Sequence, residues 1–135
     1  PEQSENFFHQ PMITADPETT QPRETDMEDL WWWMKADRSV FTVTGTRPET
    51  PVTTVRGQVT APQCGTRPIT LILAADGQED RTTVIADPNT PTDFELTLPT
   101  PAAVATLEVQ AFGPDCQGPE FEWKRFAQVL NLRAY

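Results

Sequence analysis

An antiparallel β-sandwich, in jelly-roll or Ig-like order, is the fold class this sequence predicts. Three observations carry that reading. Roughly seven short segments alternate apolar and polar residues with period two, the spacing that turns every second side chain toward one face of a strand. Turn signals separate these segments about every ten residues. Proline is frequent, at 14 residues against six glycines. Lacking an N–H, it marks strand ends and sheet edges. No segment keeps a sustained helical period, and no internal repeat is present.

In chain order, residues 1–28 read as an acidic, proline-punctuated disordered arm or linker. Phe7, Phe8, Met12 and Ile13 are its only apolar cluster, too little to offset the entropy of ordering; the alternative is that this cluster docks on the domain. The folded domain is expected over 29–135. A β-branched strand is expected over 39–43, stopping at Gly45. Over 52–60, Val55, Gly57 and Val59 share one face while Thr54, Arg56, Gln58 and Thr60 share the other. Ile69, Leu71 and Leu73 point inward in the next strand, which turns at Asp76-Gly77. A strand over 81–86 ends at Asp87-Pro88-Asn89. Phe94, Leu96 and Leu98 alternate up to Pro99, and Leu107, Val109 and Ala111 up to Gly113-Pro114. The closing strand is expected over 123–132, with Phe126, Gln128 and Leu130 facing opposite to Ala127 and Val129.

The 135 residues leave room for one domain, and 37% apolar residues suffice for a modest core. Of the net charge of -10, residues 1–30 hold eight acids against Arg23, and the rest holds 12 acids against nine bases. A folded part this close to neutral lacks the basic footprint of a nucleic-acid binder, and an acidic arm is repelled by anionic lipid. Two cysteines allow a disulfide, a metal half-site or two idle thiols. Metal is the weakest choice, since the single histidine, His9, lies far off and no C-x-x-C exists. Cys64 and Cys116 both occupy turn contexts, so a bridge is expected. Its loop of about fifty residues would stabilise the fold by roughly 4 kcal/mol and imply an oxidising compartment outside the cytosol.

The run Trp31-Trp32-Trp33-Met34 is the most unusual local feature. On a strand, Trp31 and Trp33 share a face and Trp32 takes the other, so one side of the run meets a rim, solvent or a ligand. Exposed aromatic planes stack on the apolar faces of sugar rings, which suggests a carbohydrate platform extending to Trp123 or Tyr135. The competing reading is that these indoles plug the ends of the sandwich. Glu120 and Glu122 would share a strand face as a glycosidase pair does, but beside Lys124 and Arg125 they read as surface charge. Asp76, Glu79 and Asp80 lack the ligand spacing of a calcium loop and read as a solvated hairpin. No nucleophile elbow, phosphate loop or second histidine is present, so neither catalysis nor a cofactor is expected.

The stretch Asp29-Leu30-Trp31-Trp32-Trp33-Met34, followed by a strand, resembles the start of β-sandwich modules appended to bacterial envelope glycosyltransferases. The ending Glu122-Trp123-Lys124-Arg125-Phe126-Ala127-Gln128-Val129-Leu130-Asn131-Leu132 is similar to their last strand. The Thr/Pro/Asp-rich style resembles actinobacterial proteins, whose cell-wall arabinosyltransferases carry such domains. The likeness covers these two stretches. The usual closing Asp-x-Arg element is only approximated by Glu122, Lys124 and Arg125, and no catalytic residue of that family maps here. The resemblance implies a module on the outer side of the membrane, tethered through a multi-pass region that uses polyprenyl-phosphate sugars. The combined expectation is a non-catalytic extracytoplasmic accessory module recognising cell-envelope glycan through Trp31, Trp32, Trp33 and Trp123. Its partners would be that glycan or the membrane-embedded catalytic region, without nucleic acid and without inserting into the membrane. The alternatives are an Ig-like protein-interaction ectodomain of a membrane-anchored regulator and a structural spacer.

Overall fold

The computed structural model describes residues 11–22, 32–45, 51–61, 65–113 and 125–135. Among these residues the chain is all-β: β1 (Met12–Ala15), β2 (Thr20–Pro22), β3 (Trp32–Met34), β4 (Arg38–Thr44), β5 (Val52–Thr60), β6 (Arg67–Ala75), β7 (Gln78–Ala86), β8 (Thr92–Ala102), β9 (Val104–Gln110) and β10 (Ala127–Ala134). They form two five-stranded antiparallel sheets, ordered β1-β4-β9-β6-β7 and β2-β3-β10-β5-β8. From β3 onward every connection changes sheet except the β6–β7 hairpin. That path leaves β4-β9-β6-β7 in one layer and β3-β10-β5-β8 in the other, which is the order of a jelly roll and not of an Ig sandwich. β1 and β2 add one strand to an edge of each layer. No described helix is long and apolar enough to cross a membrane.

The alternation that predicted the strands also builds the core. Phe41, Val43, Ile69, Leu71, Leu73, Leu107 and Val109 project from the first sheet. Met34, Val55, Val59, Phe94, Leu96, Leu98, Val129 and Leu132 project from the second, all buried between the layers. The β6–β7 turn falls at Asp76-Gly77, both with positive φ, at 50° and 78°. That geometry matches the right-handed twist of the flanking strands.

Two expectations are corrected, and the closing strand carries a bulge beyond the alternation expected of it. Residues 11–22 are not a disordered arm: β1 pairs with β4 from Met12↔Thr44 to Ala15↔Phe41, and β2 pairs with β3. Ile13 and Ala15 pack against the core, and the backbone between the strands is tied at Asp16, whose carbonyl accepts from Thr19 and Thr20 N–H. Partner strands, not local propensity, order this segment; residues 1–10 and 23–28 lie outside the described residues. β8 does not stop before Pro99 but runs on to Ala102. Its register against β5 jumps from Thr54↔Thr97 to Val52↔Ala102, so Pro99 and Pro101 fall where no ladder bond is needed. Finally, β10 changes phase at Asn131, whose φ is 52°, because a bulge separates Leu130 from Arg133. Ala127 and Val129 point inward before it, Leu132 and Ala134 after it.

Candidate functional site

The pleat splits the tryptophan run. Trp32 turns inward beside Met34 and meets the buried Phe41 ring edge-on, with centroids 5.2 Å apart. Trp33 turns to the outer face of the second sheet, half-buried, with the Arg125 guanidinium 4.0 Å from its ring centroid. A cation over an indole face is favourable and holds the ring in place. Of the site residues read from the sequence, the structure therefore sends Trp32 to the core and Trp33 to a surface. Trp31 and Trp123 lie outside the described residues, as do Cys64, Cys116, Glu120 and Glu122.

The register gathers polar side chains beside Trp33. Across the sheet, Trp33 is opposite Gln128 and Gln128 is opposite Thr60, whose hydroxyl donates to Gln128 Oε1 at 2.9 Å. One row along, Asn131 Nδ2 donates to Gln58 Oε1 at 2.9 Å, and Gln58 Nε2 donates to Asp93 Oδ1 at 2.9 Å. The next row pairs Arg56 Nε with Glu95 Oε1 at 2.9 Å. Arg56 also lies 5.1 Å from the centroid of the exposed Tyr135 ring. Between β5 and β8 the face holds an open depression of about 470 Å³, lined by Arg56, Gly57, Asp93, Phe94 and Glu95. The face is thus a band of mutually bonded amides and paired charges with an aromatic ring at each end. Its chemistry suits a polyhydroxyl ligand: amides meet hydroxyls as donors and acceptors at once, and aromatic planes meet sugar C–H groups.

Sequence reasoning singled out Trp33 and named Tyr135 as candidates, and it did not single out Gln58, Gln128, Asn131, Arg56 or Arg125. Alternation put Arg56 and Gln58 on an outward face, yet only the insertion of β10 between β3 and β5 brings them beside Gln128 and Asn131. The outer face of the other sheet has a different character. Thr14, Thr42 and Thr106 stand in register on β1, β4 and β9, and Arg38 pairs with Glu108 at 2.7 Å. The Arg38 hydrogen bond holds the Glu108 carboxyl below the usual carboxylate range. In the β6–β7 hairpin, Asp80 Oδ2 accepts from Thr97 N–H at 2.9 Å and Glu79 lies 3.6 Å from Arg81. Among the described residues no group of three or more His, Cys, Asp or Glu is placed to hold a metal ion.

No family model matches the chain. No curated protein matches it either. Among solved structures it is similar to part of the structure of PfGH50B, with a TM-score of 0.50 and 8% sequence identity. The match covers 93% of this chain and 23% of that one, so the chain spans less than a quarter of that protein's length. At this identity the likeness speaks to the fold alone.

Proposed function

We propose that this chain is a non-catalytic, extracytoplasmic accessory module that recognises cell-envelope glycan through the outer face of the β2-β3-β10-β5-β8 sheet. The observation that carries the reading is the band of Gln128, Gln58, Asn131 and Arg56 between Trp33 and Tyr135. The carboxylates on that face are already engaged, Asp93 by Gln58 and Glu95 by Arg56, which favours binding over general acid–base work. Service to an arabinosyltransferase-like membrane enzyme of an actinobacterium is part of the proposal. It draws support from β3, which lies within the first stretch that carries the resemblance, and its neighbour β10, which lies in the second stretch as far as Leu132. A Cys64–Cys116 disulfide belongs to the same reading: the Arg67 guanidinium reaches Gly113, and each of these residues is three positions from a cysteine.

The test is a titration followed by the indole N–H resonances, using oligosaccharides of arabinose, galactose and mannose. A bound glycan shifts the Trp33 signal, weakly and with little dependence on salt, because stacking and neutral hydroxyl contacts release few ions. Trp33→Ala removes the response and lowers stability by about 1 kcal/mol or less, the loss of one cation–π contact. Trp32→Ala, by contrast, lowers stability by roughly 2–3 kcal/mol through the gap left against Phe41. A full panel without any shift overturns the glycan reading and leaves the protein-interaction ectodomain in its place.

A further inference from the structure

Resting on that reading, we infer that the ligand is an internal stretch of an extended neutral polysaccharide lying along β10 and β5, and not a single sugar or a chain end. The two rings are too far apart for one sugar to reach both. Trp33 stands in the row of Gln128 and Thr60, whereas Tyr135 exchanges backbone hydrogen bonds with Thr54 in both directions. From Thr60 to Thr54 the β5 strand covers about 20 Å at ~3.3 Å per residue. That is the length of several linked sugar rings.

The groups between the rings favour a neutral chain. Arg56 and Arg133 are matched in number by Asp93 and Glu95, so the middle of the face carries no net charge. The Gln58 amide spends one N–H and one oxygen lone pair on Asp93 and Asn131. An amide so used still has a second N–H and a second lone pair to offer, the pattern that neighbouring hydroxyls of a sugar take up. The internal bonds also fix the amide rotamers before the ligand arrives, which reduces the entropy lost on binding.

The experiment is a calorimetric titration with mannan-, galactan- and arabinan-derived oligosaccharides of increasing length, from one residue to six. In the series that binds, affinity is expected to rise at least tenfold between the disaccharide and the hexasaccharide, and blocking either terminal sugar should change it less than twofold. Tyr135→Ala and Trp33→Ala should each bring the hexasaccharide close to the disaccharide's affinity, with a dispersed amide spectrum confirming that each variant is folded. An affinity that stays flat beyond two residues overturns the extended-chain inference while glycan recognition stands. So does a Tyr135→Ala variant that binds the hexasaccharide as the parent does, or loss of binding on blocking one terminus. Binding by no oligosaccharide of any length overturns both readings.

Discussion

Trp32 and Trp33 are neighbours of identical chemistry, and the period of two alone sends one to the core and the other to a surface. That split was legible in the sequence, because consecutive residues of a strand cannot share a face. Which face was inner was not legible, since it depends on Met34 and on the partner strand β10. Gly57 makes a similar point on the core side. It lies directly across from Phe94, and a Cβ built on it would fall 2.8 Å from that ring's Cζ and 3.2 Å from Leu132 Cδ1. The ring fills the space that the glycine leaves. Alternation placed Gly57 inward with Val55 and Val59 but could not say why a glycine stands there. Gly57→Ala is expected to lower stability by about 1–3 kcal/mol, the usual range for forcing extra volume into a packed core. Urea unfolding checks this: the midpoint falls while the slope stays constant. An unchanged midpoint would mean that Phe94 moves aside without cost.

Among the elements, the strands with clean alternation were readable and the irregular ones were not. β6 shows Ile69, Leu71 and Leu73 inward as its pattern predicts, ending in a two-residue turn at Asp76-Gly77. β8 was cut short because Pro99 reads as a strand end, and the phase change in β10 was invisible because Asn131 carries no mark of a bulge. In β8 the prolines are tolerated because another element supplies the missing pairing. Thr100, between Pro99 and Pro101, donates its N–H to Gln78 Oε1 at 2.9 Å and accepts from Gln78 Nε2 at 2.6 Å. Asp80 takes the Thr97 N–H. Two side chains of β7 thus occupy edge groups of β8 that would otherwise invite a strand from another molecule. Gln78→Ala should accelerate amide exchange at Thr100 by about fivefold, corresponding to a loss of ~1 kcal/mol for one exposed amide pair. Exchange at Leu96, deeper in the β5–β8 ladder, should hold its rate. Equal acceleration along all of β8 would show that Gln78 supports the whole sheet and not its edge alone.

At the scale of the molecule, a jelly roll joins strands that are distant in sequence, so its order cannot be read from local periodicity. Residues 38–44 lie beside 104–110, and 52–60 beside 127–134, pairings that only tertiary packing selects. The same argument explains β1 and β2. Four residues and three residues, flanked by proline and acids, have no tendency of their own to be strands. They are ordered because β4 and β3 offer them unpaired edges, and because Thr19 ties the crossing between them to both layers. Its hydroxyl lies 2.8 Å from the buried Ser39 hydroxyl, and its carbonyl accepts from Lys35 N–H at 2.8 Å. Removing residues 1–22 would uncover the edges of β4 and β3 together, leave Ser39 without that hydroxyl, and take Ile13 and Ala15 off the core. A loss of about 2–4 kcal/mol is expected, from two apolar contacts and several ladder bonds at ~0.5–1.5 kcal/mol each. Thermal unfolding measures it by comparing a chain that begins at Pro11 with one that begins at Arg23. The shorter chain should melt many degrees lower and self-associate through its bared edges, as judged by sedimentation. Equal melting temperatures would mean that the two sheets are complete without β1 and β2. The segment would then be bound to the sandwich without contributing to its stability.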